Sequence, residues 1–152
     1  MWIPFRKKKE FFTESQKEQV VKAIREAEHQ TSGEVRVFVE SRCRFVDPVD
    51  RAYEIFKGLK MEETHHRNGV IVYVALKDRQ LAVYGDIGIH EKTGEIYWKM
   101  EVAKMLSHFN NEDYITGIST CVREIGQALH EHFPYDRTED KNELPDEIVF
   151  GK

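Results

Sequence analysis

"GVIVYVALKDRQLAVYGD", residues 69 to 86, decides the fold of this chain. Its first eight residues are almost continuously apolar, as suits a central strand covered on both faces. "KDR" at 77 to 79 is a short turn, and "QLAVYGD" returns as the next strand, giving a hairpin. Upstream, "EVRVFVE" (34 to 40) alternates as a half-buried strand does, with Val35, Val37 and Val39 facing one way. Between them, "DPVDRAYEIFKGL" (47 to 59) starts a helix with Asp47 as cap. Pro48 falls in its first turn, where a missing N–H costs little. The apolar face of that helix is Ala52, Ile55, Phe56 and Leu59. A strand–helix–strand unit followed by a hairpin predicts a small mixed sheet.

Helical patterns flank this centre. Thr13 caps a helix while Gln16 reaches back to it, a capping box, and Val20, Val21, Ile24 and Ala27 then recur at helical spacing. "TSGE" (31 to 34) stops that helix. After Gly88 comes one further helix, with Ile96, Met100, Ala103 and Leu106 in register. "NEDYITGISTCVREIGQALHEHF" (111 to 133) is the last, with Tyr114, Ile118, Val122, Ile125 and Leu129 on one side. Its Gly117 and Gly126 each cost about 1 kcal/mol relative to alanine, which points to close helix packing. The order is α-β-α-β-β-α-α, and four helices cover both faces of the sheet. The expected architecture is an α/β fold, an α/β/α sandwich. A flexible N-terminal tail (1–10), a single domain (11–135) and a polar, extended C-terminal tail (136–152) divide the chain.

A length of 152 residues fits one domain with a sizeable core. Hydrophobic residues make up 40% and charged residues 33%, a globular balance. The net charge of −4 argues against a dedicated nucleic-acid binder, which needs a basic face. The local exception, Arg6, Lys7, Lys8 and Lys9 after Trp2, Ile3 and Phe5, reads as a solvated tail or as a weak membrane-surface contact. No apolar stretch approaches the roughly 18 residues of a membrane helix, and the order of charge and apolar residues at the start is the reverse of a secretory signal. Cys43 and Cys121 lie on different elements and fit no metal spacing, so reduced thiols in a cytoplasmic protein are expected. A monomer with an unidentified protein partner is the accompanying expectation.

The element order also locates a site. Two parallel strands start at the same end, and the hairpin brings the end of the third strand back to the start of the second. Glu34, the "HHRN" segment (65 to 68) with Asn68, and Asp86 are therefore expected to gather at one sheet edge, where a helix also begins. Neighbouring carboxylates there repel unless a cation lies between them, and a hard cation, calcium or magnesium, suits oxygen ligands. Each residue has a plainer reading beside this one. Asp86 is a ligand or a turn and helix-capping aspartate. Glu34 is a ligand or an exposed first strand residue. Glu91 is a ligand or an acidic residue in a first helical turn, favoured by the helix dipole. Gly85 and Gly88 serve backbone conformation first and close ligand approach second.

Other chemistries fit less well. His65, His66 and His90 carry no HExxH or Cys/His spacing for zinc. Counted from Asp86, the sixth residue is Glu91 and the twelfth Tyr97, so an EF-hand loop fails. Walker and GxGxxG motifs are absent, and neither cysteine precedes a phosphate cradle. Catalytic residues stay unassigned.

"FFTESQKEQVVKAIREAEHQTSGEVRVFVE", "RNGVIVYVALKDRQLAVYGDIGIHEKTG" and "NELPDE" resemble the TPM domain family over roughly residues 11 to 147. That family is named for a thylakoid lumen protein, a photosystem II-associated protein and a nematode receptor-modulating protein. The resemblance implies an α/β/α sandwich and a divalent-cation site, often for calcium, near the loops at one sheet end. It also implies weak acid phosphatase activity, attributed to plant members. Two departures stand out. Many members carry "DNG" where this chain has "RNG", so Arg67 replaces one carboxylate. Many also carry a signal peptide and a membrane anchor, whose lack here implies the shorter, soluble branch. The resulting expectation is a non-catalytic binding module, with a metal-assisted phosphomonoesterase at the same site as the alternative.

Overall fold

A computed structural model gives the fold of residues 11–135 and 148–151. The basic run Arg6 to Lys9, the "NELPDE" motif and most of the C-terminal stretch lie outside these described residues. The first helix, α1 (Glu14–Glu28), opens with both halves of the expected capping box, Thr13 Oγ1 accepting from Gln16 N–H and the Gln16 side chain accepting from Thr13 N–H. β1 (Glu34–Glu40) follows, then α2 (Pro48–Gly58), capped by Asp47 as read from the sequence. β2 (Gly69–Ala75) and β3 (Gln80–Gly85) form the hairpin, and every residue of β2 is buried.

β1 and β2 are parallel, pairing Glu34 with Gly69, and β2 and β3 are antiparallel, pairing Val70 with Gly85. Val35, Val37 and Val39 do share one face. They join Val70, Val72 and Val74 of β2 in a core closed by α1 and by the last two helices. Phe38, Ile71, Tyr73 and Ala82 face the other way, under Ala52, Ile55 and Phe56 of α2. Helices therefore cover both faces of a mixed sheet, and the fold is the α/β sandwich expected.

Three expectations change. The stretch after β3 is two helices, α3 (Ile87–Thr93) and α4 (Glu95–Asn110), because Gly94 at φ +81° breaks the α-helical path. With α5 (Tyr114–His132) the described helices number five. Secondly, the stripe Ile96, Met100, Ala103 and Leu106 is not the inner face of α4. Ile96 is 74% exposed and Met100 54%, while Trp98, Glu101, Met105 and Phe109 point inward. Thirdly, the polar tail contributes a strand, β4 (Val149–Phe150), parallel to β1 and completing the order β3-β2-β1-β4. Phe150 is held there by rings of Phe11 and Phe12, at centroid distances of 5.9 and 5.7 Å.

The glycines of α5 serve close packing, as inferred. A Cβ on Gly126 would lie 2.5 Å from Ala27 Cβ of α1, and one on Gly117 would lie 2.9 Å from His108 Cβ of α4.

Candidate functional site

The amino ends of β1 and β2 and the carboxyl end of β3 meet at one edge. Asp86, immediately after β3, donates its N–H to Gly69 O at 2.9 Å, which locks it to the first residue of β2. Its side chain is 2% exposed. Oδ1 accepts from Ile87 N–H at 2.8 Å, so Asp86 caps α3. The carboxylate also takes two hydrogen bonds from Arg67, Nη2 to Oδ1 at 2.8 Å and Nε to Oδ2 at 2.6 Å. Such a two-pronged guanidinium–carboxylate pair is strong and geometrically specific. Asp86 thus caps α3, and it carries a cationic partner from its own chain.

Arg67 is placed by the loop before β2. It adopts φ +52°, and its carbonyl accepts from Gly88 N–H at 2.8 Å. A Cβ on Gly88 would lie 2.1 Å from His66 O, and one on Gly85 would lie 2.4 Å from the Trp98 ring. Neither glycine has positive φ. Both are required by close approach of neighbouring atoms, which reverses the weighting read from sequence. The Arg67 side chain stays half exposed, and the Asp86 carboxylate holds its guanidinium further toward the charged form.

The other residues singled out divide. Asn68 is buried, donating from Nδ2 to Ser32 Oγ at 3.2 Å and from its backbone N–H to Thr64 Oγ1 at 3.2 Å. It fastens the loop before β2 to the turn before β1. Glu34 is 3% exposed, so the exposed-strand reading fails, and its N–H donates to Asn68 O at 3.4 Å. Glu34, Asn68 and Asp86 therefore all border Gly69. Glu91 does not join them through its own helix start: α3 begins at Ile87, so Glu91 is its fifth residue, beyond the first turn, and exposed. Among the described residues no group of three or more His, Cys, Asp or Glu side chains is arranged to hold a metal. His65 and His66 pack ring against ring at 4.5 Å, and His90 Nδ1 accepts from Trp98 Nε1–H at 3.0 Å.

The opposite end of the sheet holds a cluster the sequence reading passed over. Glu40, last residue of β1, is 7% exposed and takes Arg51 Nε at 2.9 Å and Nη2 at 3.0 Å. Tyr73 of β2 donates its hydroxyl to the same carboxylate. Burial opposes ionisation of Glu40, but the Arg51 and Tyr73 hydrogen bonds outweigh it and lower its pKa. The signal available in sequence was weak: a polar residue closing an otherwise alternating strand, with an arginine in the next helix.

A groove of about 600 Å³ runs beside β3, its apolar wall formed by Leu81, Val83, Ile87, Trp98 and Val102. Three of the polar groups at its rim are engaged. His90 is bonded to Trp98, and Lys99 pairs with Glu95 at 3.4 Å.

No helix among the described residues is long and apolar enough to cross a membrane. The TPM domain pattern matches residues 6–128 of the chain. No curated protein matches. Among solved structures, the fold is similar to the NMR structure of BA42 from the psychrophilic bacterium Bizionia argentinensis, at 35% identity and a TM-score of 0.85, covering 95% of this chain and 99% of that one. It is also similar in fold to an N-terminal domain from P. gingivalis, at 17% identity and a TM-score of 0.69 over 83% of each chain. The N-terminal domain of cg2496 from Corynebacterium glutamicum follows at 14% identity and a TM-score of 0.62, over 78% of this chain and 74% of that one. The chain belongs to the TPM domain family.

Proposed function

We propose that this chain is a non-catalytic binding domain that works through the Asp86 end of its sheet, and that Arg67 there holds the place of a divalent cation. The supporting observation is the paired hydrogen bonding of Arg67 to Asp86. Where a second carboxylate would call for calcium or magnesium, this sequence supplies a cation from its own chain. Calcium or magnesium then binds only by displacing Arg67, whose half-exposed side chain is free to turn into solvent while Asp86 keeps its cap on α3. A metal-assisted phosphomonoesterase would need a cation held by several oxygen ligands to polarise phosphate and activate water. At this edge Asp86 is already committed to Arg67 and to Ile87 N–H.

Titration calorimetry with calcium on wild type and Arg67→Asp tests the reading. Wild type is expected to give no saturable heat below millimolar calcium, and Arg67→Asp is expected to gain binding. Micromolar binding by wild type would overturn it. So would metal-dependent turnover of p-nitrophenyl phosphate that disappears in Asp86→Asn.

A further inference from the structure

The seam between α4 and α5 contains a charge problem that the Asp86 site does not share. Glu101, in the middle of the inner face of α4, is 2% exposed. Its Oε1 is buried and has no hydrogen-bond partner, and its carboxyl shares Lys104 with that of Glu124 on α5. The cation available to the pair is Lys104, whose Nζ stands 3.7 Å from Glu101 Oε2 and 3.3 and 3.4 Å from the two oxygens of Glu124. Lys104 is half exposed and shared between the two carboxylates, so one cation faces two negative charges and one charge is left over. A buried polar oxygen with no partner is costly, and two adjoining carboxylates do not both ionise readily.

We propose that Glu101, Lys104 and Glu124 form a proton-operated clasp between α4 and α5. With a proton on Glu101, the carboxyl donates it to the Glu124 carboxylate and the buried oxygen gains the partner it lacks. Without it, a buried charge faces a like charge across the seam, and α4 loosens. The proton comes from solvent and returns to it. Burial first, and Glu124 second, push the Glu101 pKa up to about 7, so the change falls near neutral pH. The folded-state pKa lies above the ordinary carboxylate value, so the clasp is fully closed below that ordinary value and is lost as pH rises through about 7.

The titratable groups that face Glu101 come from α4 and α5. From α4 itself they are Lys104 and Tyr97, whose hydroxyl donates to Glu124 O at 3.2 Å. From α5 they are Glu124 and the buried Cys121 thiol, itself pushed up by burial and by the two carboxylates. β3 packs on α4 through Leu81, Val83 and Gly85, and α3 through His90, which is bonded to Trp98. Trp98 and Val102 form one wall of the groove beside β3, so loosening α4 also opens that groove.

Amide hydrogen exchange of the intact protein at pH 5.0 and 7.5 tests the clasp, with rates divided by the intrinsic chemical rate at each pH. Opening of α4 in wild type should rise more than about tenfold, the equivalent of one pKa unit of the shift. Glu101→Gln, isosteric and uncharged, should stay protected and flat across the range. Glu124→Gln, at a less buried position, should move the wild-type midpoint to lower pH. A pH-independent wild type, an undiminished rise in Glu101→Gln, or an unmoved midpoint in Glu124→Gln would each overturn the proposal.

Discussion

The two ends of the sheet each bury a carboxylate under an arginine, and they do so differently. At the Glu40 end three side-chain donors converge on one carboxylate: Nε and Nη2 of Arg51 and the Tyr73 hydroxyl. Arg51 is also fixed by Glu54 at 3.2 Å, and Tyr73 is fully buried. Removing Glu40 strands the buried Tyr73 hydroxyl in low dielectric and leaves Arg51 with Glu54 alone. At the Asp86 end the arginine belongs to a loop, half its side chain faces water, and the other duty of the carboxylate is a backbone cap. Releasing Arg67 leaves the Asp86 carboxylate its bond from Ile87 N–H but takes away the donor of Oδ2, so the exposed arginine is freed while the buried carboxylate is left open to another cation. One end is a closed structural knot, and the other is a cover that can be lifted.

Stability measurements separate these ends. Glu40→Ala should cost the most, about 3 kcal/mol in urea unfolding, since it leaves the buried Tyr73 hydroxyl without its acceptor and Arg51 with Glu54 alone. Gly88→Ala comes next at about 2 kcal/mol, because its Cβ meets a backbone carbonyl that cannot swing aside. Asp86→Ala should cost about 1 kcal/mol, the worth of a helix cap, with Arg67 relaxing into solvent. Equal losses for Glu40→Ala and Asp86→Ala would erase the contrast between the ends. Arg67→Gln should lower the urea midpoint least, because glutamine keeps one donor for the buried Asp86 carboxylate.

Acidity sharpens the contrast further. The Glu40 pKa is lowered, so its contribution is present above the ordinary carboxylate value and lost as pH falls through the lower folded value. Glu101 runs the other way, its contribution fading as pH rises toward about 7. Unfolding free energies from pH 3 to 8 should therefore fall on both sides of a maximum, and Glu101→Gln should remove the alkaline side alone.

Much of this architecture was legible in the residues. The capping box at Thr13, the alternation of Val35, Val37 and Val39, and the continuous apolar run of β2 each carry one local signal with one structural solution. The face of α4 did not, because two helical stripes compete there. Ile96, Met100 and Leu106 form the more apolar one, yet Trp98, Met105 and Phe109 bury more surface against β3 and α5, and Glu101 rides inward with them. Tertiary packing decided between faces that hydropathy ranked the wrong way round. β4 was hidden by its polar approach, although the apolar triplet Ile148, Val149 and Phe150 marks it in retrospect.

The site was half legible. Strand order brought Glu34, Asn68 and Asp86 to one edge, and the structure places all three around Gly69. The missing half was the side-chain pair. Arg67 was visible as a departure from "DNG", but its reach to Asp86 depends on the φ of +52° at Arg67 and on the close approach at Gly88, neither of which has a sequence period. Glu91 was misplaced by a single residue, since α3 starts at Ile87 and carries it past the first turn.

The most direct measurement is an amide-shift titration with calcium on wild type and Arg67→Asp, recording both ends of the sheet together. The account predicts saturable shifts in Arg67→Asp at Gly33 to Glu34, Asn68 to Gly69 and Gly85 to Gly88, none at Glu40 or Arg51, and none in wild type below millimolar calcium. Equal, saturable shifts at the Asp86 end of both proteins would contradict it, because Arg67 would then not be what keeps the cation out.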